Sequence, residues 1–185
     1  MSKSQDNIKT YTGIYFNPLE IKVENIEFRD IAHSLSLQCR GGGHIKHFFS
    51  VAQHSINCSL EAKARGFSKR VQLACLLHDA SEAYISDITR PVKRQLEQYM
   101  EIEKIIQDQV WNTIFKESLK KEELFQVTEI DEVMLYYELE YLLEEVISDE
   151  APKLEMNLEL EFVEFHEVEN AFIQVFEGLR YLENE

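Results

Sequence analysis

The stretch SVAQHSINCSLEAKARGFSKRVQLACLLHDASEAYI, residues 50–85, decides the fold. Ser50 and Ser68 each precede an apolar pattern of helical period, and serine is a favoured residue at the start of a helix. Gly66 separates the two patterns. We therefore predict one helix from Ser50 to about Gly66. We predict a second that begins after Ser68, runs through His78 and ends near residue 85.

Further helical patterns flank this stretch on both sides. The predicted helices cover 26–38, 96–116, 121–149 and 167–182, with an irregular lead-in over 1–24, a glycine break at 41–43, and a turn over 87–91 whose proline opens another helix. Apolar and polar residues alternate over 154–162, which favours an extended segment or one isolated strand. Because almost everything else follows the helical period, we predict an all-α fold.

Composition sets limits on the protein class. The chain has 185 residues, of which 44% are hydrophobic, so we predict one core and a single domain over 1–185. The formal net charge of −15 repels phosphate backbones and argues against binding a nucleic-acid polymer. No apolar run approaches the roughly 18 residues that span a bilayer, and residues 1–13 lack the apolar part of a signal peptide. We therefore expect a cytoplasmic protein without membrane contact.

Ionisable residues stand at positions that the helical period assigns to the core. His78 and Glu82 share the face of an apolar stripe, and Asp79 is beside them. Asp131 lies in the middle of another apolar stripe, and His54 lies on a similar face. Because burying such a group alone is costly, buried ionisable groups are usually paired or bound to metals.

Two interpretations of these positions stay open. Together, His54, His78, Asp79 and Asp131 make a nitrogen and oxygen ligand set that suits a divalent transition ion. Such an ion would keep positions open for water and substrate. Taken singly, each residue has an ordinary explanation, because a core histidine is often just hydrogen-bonded and a lone aspartate is often a cap or an ion-pair partner. Glu82 could likewise pair with a lysine.

The order of these residues resembles the signature of the HD superfamily, which has one histidine, a His-Asp pair and a distant aspartate. Here the histidine is His54 in SVAQHS, the pair is His78-Asp79 in LLHDASEAY, and the aspartate is Asp131 in EIDEVML. The chain most resembles the bacterial and phage HD hydrolases related to 5′-deoxynucleotidases. The likeness covers about residues 10–140, with the signature region at 40–131, and includes YTGIYFNPLE and DIAHSLSLQCRGGGH near the start.

This resemblance implies an HD-type helical bundle with one divalent transition-metal ion (Mn, Co, Fe, Ni or Zn) at the four signature residues. It implies a phosphoric monoester hydrolase that removes the phosphate of (deoxy)nucleoside 5′-monophosphates. By position, Glu82 orients or activates the water and Asp87 is a second catalytic carboxylate. Arg40 corresponds to a catalytic and phosphate-binding arginine near the metal. Lys93, in DITRPVK, corresponds to a lysine that contacts the substrate phosphate.

Other interpretations remain. Asp87 could be only a turn residue, Arg40 and Lys93 could be solvated charges, and His44 and His47 could contact substrate or merely be exposed. The same site could serve a dNTP triphosphohydrolase, a nucleotide phosphodiesterase or a nucleotide sensor without turnover. An acidic helical interaction protein would bind no metal. A small nucleotide is the expected partner, and the resemblance leaves room for a homodimer.

Overall fold

The computed structural model describes residues 6–148 and 150–180, and its architecture is all-α, as the sequence predicts. The helices are α1 (Phe28–Leu37), α2 (Val51–Ala64), α3 (Lys69–Leu76), α4 (Glu82–Ile85), α5 (Arg90–Lys93), α6 (Glu97–Phe115), α7 (Lys121–Leu142) and α8 (Phe165–Arg180). Short 3-10 turns cover Val23–Asn25 and Arg40–Gly43. No helix in the described part of the chain combines the length and apolar character that a bilayer crossing needs.

The segment predicted as an irregular lead-in contains a small hairpin, so the prediction is wrong in this detail. Strands β1 (Ile8–Lys9) and β2 (Tyr15–Phe16) pair antiparallel, and residues 1–5 lie outside the described residues. Asp30, buried on α1, accepts hydrogen bonds from the amide and the hydroxyl of Thr12 at 2.6 and 2.8 Å. The hairpin is therefore held by a contact with α1, which a local strand pattern does not reveal.

The core lies mainly where α1, α2, α3, α7 and α8 pack together, and α6 adds Ile106 and Val110 to it. Helix α2 contacts α3 and α7, while α8 covers α1, α2 and α3. Buried side chains from all five helices fill the core, among them Leu35, Cys58, Leu73, Ile130 and Phe172. The central helices begin where the sequence predicts. Ser50 and Gln53 form a capping box at α2, and Ser68 accepts the amide of Val71 at α3.

The helix predicted to continue to residue 85 ends at Leu76, and the residues before α4 form tight turns instead. Gln107 of α6 accounts for this break. Its side chain accepts the amide of Ser81 at 3.1 Å and donates to the carbonyl of Leu77 at 2.6 Å. These bonds satisfy backbone groups that a continuous helix would have paired internally.

The predicted end of the helix over 121–149 is wrong, whereas the helix that the proline of the 87–91 turn opens is confirmed. Helix α7 ends at Leu142, short of the predicted 149, because the carbonyl of Leu142 accepts the amide of Lys46 at 2.9 Å and Glu144 takes a φ of +55°. Position 149 lies outside the described residues. The short helix α5 contains Pro91 in its first turn, as predicted.

The alternating segment near the C-terminus forms no strand in the part of the chain that the structure describes. Exposed and half-buried side chains do alternate along it, so one face lies against the helices. We call residues 151–161 the strap. Helix α2 supplies side chains four residues apart that hydrogen-bond the backbone of the strap, namely Gln53, Asn57, Glu61 and Arg65. These bonds satisfy several backbone groups of the strap in place of a partner strand.

Candidate metal centre

Four side chains of the predicted signature converge at one point. His54 lies on α2, His78 and Asp79 lie in the turns after α3, and Asp131 lies in the middle of α7. Nε2 of His54 is 3.2 Å from Nε2 of His78 and 3.2 Å from Oδ1 of Asp131. Oδ2 of Asp79 is 3.7 and 3.4 Å from the two imidazole nitrogens. Ligand atoms about 2.1 Å from one ion lie roughly 3.0 to 3.4 Å apart, so three of these spacings suit a shared ion and the one between Asp79 and His54 is slightly longer.

The outer nitrogen of each imidazole already has a partner. Nδ1 of His78 lies 2.7 Å from the carbonyl oxygen of Cys75, which can only accept, so Nδ1 carries a proton. In the neutral ring, Nε2 then presents a lone pair to the centre. Nδ1 of His54 lies 2.5 Å from Oε1 of Glu138, and this carboxylate oxygen likewise accepts the proton of Nδ1. The lone pairs of the two Nε2 atoms face the carboxylates of Asp79 and Asp131, and all of these groups repel one another unless a positive charge lies between them. This set of nitrogen and oxygen donors therefore fits a divalent ion.

Protons can also supply that positive charge. Although burial opposes its charged form, the carboxylates of Asp79 and Asp131 raise the pKa of His78 to about 9. Burial likewise opposes ionisation of Asp131, but its bonds to His54 and His78 hold its pKa well below the usual range. Without an ion, these shifts favour a protonated His78 beside an ionised Asp131 at neutral pH, and an ion that binds there would displace the proton of His78.

Cys58 offers a second possible ligand set. It lies one turn after His54 on α2, and its Sγ is 3.6 Å from Nε2 of that histidine. His54, Cys58 and His78 therefore also group closely enough to surround an ion. Burial raises the pKa of the Cys58 thiol to about 12, so the sulfur is protonated at neutral pH and is a poor ligand until an ion displaces its proton.

Glu82 lies beside the centre, but not for the reason the sequence suggested. His78 lies in the turns and Glu82 is the first residue of α4, so the two do not share a helical face. Glu82 is buried, and its Oε2 has no hydrogen-bond partner among the described residues. Burial, with the nearby charges of Asp79 and Asp87, raises the pKa of Glu82 well above its usual value. Such a carboxyl group is poised to exchange a proton.

Asp87 and Lys93 lie at the cavity beside this centre, close to Glu82. The pKa of Asp87 is raised by its burial, with Asp79 adding to the effect. The ammonium of Lys93 is 3.8 Å from Oε1 of Glu82 and forms an ion pair with Glu103. Lys93 is therefore not a free surface charge, and Asp87 is more than an exposed turn residue.

Arg40 reaches the centre from the 3-10 turn after α1. Its Nε and one terminal nitrogen donate to Oε2 of Glu138 at 3.2 and 3.0 Å. Its other terminal nitrogen lies 3.4 Å from Oδ2 of Asp79. The guanidinium thus lies next to the proposed ion site, as the resemblance implies. Much of its hydrogen-bonding capacity is already used by Glu138.

The two histidines of the glycine-rich entrance differ in their surroundings. His44 is exposed. His47 is half-buried, and its Nε2 lies 2.8 Å from the carbonyl oxygen of Leu160 in the strap. His47 therefore fastens the strap, and neither histidine belongs to the converging set.

Two residues of the centre have no role in the sequence analysis. Glu138 links His54 to Arg40, and Arg90 donates to Oδ2 of Asp131 at 2.8 Å and to Glu132. A charge in the middle of the α7 stripe was the available signal for Glu138. Arg90 stands in the DITRPVK run, but nothing in that run separates it from Lys93.

A cavity of about 420 Å³ opens beside the converging residues. Asp79, Glu82 and Asp131 line one side of it, with the cations Arg40, Arg90 and Lys93. Its other wall is apolar and comes mainly from the C-terminal part of α7, with Leu135, Leu139, Leu142 and Leu143. Its size and its mixture of apolar wall and few charged groups are typical of a small-molecule site.

Comparison with known proteins gives a family match. A family model described as an HD domain matches residues 38–178, a range that contains all four converging residues. Over 99 residues the chain is 42% identical to the uncharacterized protein YfdR of Escherichia coli K12, covering 54% of this chain and 53% of YfdR. Over 73 residues it is 42% identical to the uncharacterized protein RCAP_rcc00048 of Rhodobacter capsulatus, covering 37% of each. The matches thus span about half of the first relative and less of the second.

Proposed function

Because the chain belongs to the HD domain family, we propose that it is a metal-dependent phosphohydrolase whose single divalent ion is bound by His54, His78, Asp79 and Asp131. The observation that carries this proposal is the convergence of two imidazole nitrogens, 3.2 Å apart, with two carboxylates. The centre borders an open cavity, whereas structural metal sites are closed by protein ligands. An ion held there would therefore keep room for water and substrate.

The proposed substrate is a (deoxy)nucleoside 5′-monophosphate. Three cations, Arg40, Arg90 and Lys93, line the cavity near the centre and favour a phosphate group there. The leucine wall of α7 favours a less polar body attached to that phosphate, such as a nucleoside. The sequence likeness to HD hydrolases related to 5′-deoxynucleotidases supports the same choice.

The side chains divide the chemistry between them. A bound divalent ion supplies Lewis-acid polarisation of a phosphoryl oxygen and lowers the pKa of a water molecule. Glu82 accepts the proton of the attacking water, because its raised pKa makes it a stronger base than an ordinary carboxylate. Asp87, whose pKa is also raised, protonates the leaving 5′-oxygen. Arg40 and Lys93 offset the negative charge of the phosphate as the bond breaks.

A panel of nucleotides, assayed with Mn, Co, Fe, Ni and Zn, tests this proposal through the products. Nucleoside and inorganic phosphate are expected from a 5′-monophosphate. Release of triphosphate identifies a triphosphohydrolase, and a cleaved diester identifies a phosphodiesterase. Nucleotide binding without any product identifies a sensor. A protein that binds neither metal nor nucleotide contradicts all of these functions.

Two variants separate the possible ligand sets. Asp79→Ala should lose both the bound ion and the phosphatase activity, whereas Cys58→Ser should keep both, because the proposed ligands are the two imidazoles and two carboxylates and not the thiol. Elemental analysis of the purified variants measures the ion directly. If Cys58→Ser loses the ion while Asp79→Ala keeps it, the sulfur belongs to the ligand set and the carboxylate does not.

A further inference from the structure

One side chain from outside the converging set connects the backbone at both proposed catalytic carboxylates. Gln38, the residue directly after α1, donates from Nε2 to the carbonyl oxygen of Glu82 at 3.0 Å. Its Oε1 accepts the backbone amide of Asp87 at 3.0 Å. The same Nε2 also lies 3.0 Å from the hydroxyl of Ser34, which fixes the orientation of the amide group. A single amide thus uses both of its ends on the segment 82–87.

The segment that Gln38 holds has an unfavourable backbone conformation. Ser86 takes a φ of +69° and a ψ of 155°, a region that is nearly restricted to glycine. Its amide donates to the carbonyl oxygen of Glu82 at 2.8 Å, and its own carbonyl accepts the hydroxyl of Tyr99 at 2.5 Å. A strained residue keeps such a conformation only when the surrounding bonds over-determine it. Tyr99 of α6 supplies the bond to Ser86 itself, and Gln38 holds the backbone at Glu82 and Asp87 on either side of it.

The strained turn sets the relation between the two carboxylates. Glu82 lies buried at the start of α4, and Asp87 is the first residue after Ser86. If Ser86 relaxed to an ordinary conformation, the chain would leave α4 in another direction and Asp87 would move away from the cavity. Glu82 and Asp87 both line the cavity, so the direction in which the chain leaves α4 sets the separation of their two carboxyl groups there.

We propose that Gln38 is a positioning residue for the hydrolytic reaction, which keeps Glu82 and Asp87 at a working distance by holding the backbone at both. This inference rests on the proposed function. The Gln38 side chain bonds the backbone of Glu82 and Asp87 and the hydroxyl of Ser34, and not the carboxyl groups themselves. Its effect passes through the carbonyl of Glu82 and the amide of Asp87.

Two replacements separate the two bonds that the Gln38 side chain makes to the backbone of Glu82 and Asp87. Gln38→Met keeps the length of the side chain and removes both bonds. Gln38→Glu keeps an acceptor for the amide of Asp87 but loses the donor for the carbonyl of Glu82. The matched control is Ser36→Ala on the same helix, because the buried hydroxyl of Ser36 bonds only within α1, to the carbonyl of Ala32.

Each variant is loaded with metal and measured in two ways. The first is steady-state hydrolysis of the nucleotide that the wild-type protein cleaves. The second is amide hydrogen exchange of residues 82–93. We expect Gln38→Met to lower kcat about 10- to 100-fold with little change in KM and an unchanged metal content, since a small misplacement of catalytic groups costs on that order. Exchange at Asp87 should speed up. Gln38→Glu should lie between Gln38→Met and wild type, and Ser36→Ala should match wild type.

The outcomes separate this inference from the proposed function. If the wild-type protein hydrolyses nothing, the proposed function fails, and exchange at Asp87 still reports whether Gln38 holds the turn. If the wild type is active and Gln38→Met has the same kcat, Gln38 is not a positioning residue. If Gln38→Met and Ser36→Ala lose activity equally, along with their metal or their fold, the role of Gln38 is general stability and the inference is overturned.

Discussion

Glu138 shows how a buried charge on α7 prepares a ligand on α2. Its Oε1 lies 2.5 Å from Nδ1 of His54, and its Oε2 accepts two bonds from Arg40. A carboxylate in this position fixes the tautomer and orientation of a metal-binding histidine and raises its basicity. We therefore expect Glu138→Gln to weaken metal binding about 10- to 100-fold. Titration calorimetry measures the affinity, and Glu140→Gln, an exposed acid on the same helix, is the control. Equal affinity for both variants would contradict the role of Glu138.

Glu82 gives a prediction in which activity and stability change in opposite directions. Its pKa is raised in the folded protein, mainly by burial, so the native state keeps a proton that the unfolded state has already released. The contribution of this proton to stability is complete below the unfolded pKa and is lost as the pH rises through the folded pKa.

Glu82→Gln removes this pH dependence because the amide stays neutral. Metal-free Glu82→Gln should therefore resist urea better than wild type above the folded pKa of Glu82 and differ little below the unfolded one. Its kcat should fall about 10²- to 10⁴-fold, the usual contribution of a general base. Urea titrations across this pH range, beside Glu101→Gln as an exposed control on α6, check the first part. A variant that is less stable at high pH would show that Glu82 is stabilised as an anion.

At this scale the sequence located residue types better than their partners. The order of His54, His78, Asp79 and Asp131 could be recognised because their spacing along the chain is itself the signal. The bonds of Glu138, Arg90 and Gln38 could not be recognised, since each joins residues far apart in sequence.

Four side chains, placed one turn apart along α2 and its C-terminal end, hydrogen-bond the backbone of the strap. Glu61 is the third of these four side chains. Its carboxylate accepts the amides of Glu155 and Met156 at 3.0 to 3.1 Å and pairs with Arg65 at 2.7 Å, and the side chain is fully buried. Glu61→Ala leaves these donors without their acceptor, so we expect a loss of about 2 kcal/mol in the free energy of unfolding. Urea denaturation measures this loss.

The control for Glu61→Ala is Glu129→Ala. Glu129 is the other partner of Arg65, but its side chain is 44% exposed, so its removal should cost about 0.5 kcal/mol or less. Limited proteolysis gives a second measurement, because a released strap should be cut near residues 151–161 in Glu61→Ala alone. Equal stability of the two variants would mean that the strap is held by its apolar side chains instead.

Helix starts were predictable and interruptions were not. Ser50 and Ser68 act through neighbours three residues away, so their capping is a local property of the sequence. The break after Leu76 depends on Gln107, and the strap depends on α2. In both places tertiary hydrogen bonds take over the backbone groups that a local pattern assigns to a helix or a strand.

The charges at the cavity differ from the charge of the whole molecule. The formal net charge is −15, yet Arg40, Arg90 and Lys93 gather around one cavity together with the acids of the centre. Each cation is already paired with at least one carboxylate. We therefore expect the cavity to attract a phosphate group strongly only when an ion neutralises the remaining carboxylates, so that the affinity for the proposed substrate depends on the bound metal. The homodimer stays a prediction, which sedimentation analysis can test.

Metal removal should destabilise the entire chain, because the proposed ligands come from α2, from the turns after α3 and from α7. These elements meet in one core, so we expect a single cooperative unfolding transition, in agreement with one domain. An ion that binds only the folded state adds about 2.7 kcal/mol of stability at a free concentration of 100 times its Kd. Thermal unfolding with increasing metal, and after chelation, measures this shift. The Tm of Asp131→Asn should no longer depend on metal, while that of the exposed control Glu132→Gln should still rise. Two separate transitions, only one of them metal-dependent, would contradict the single domain. A wild-type Tm that does not change with the metal concentration would contradict the metal centre.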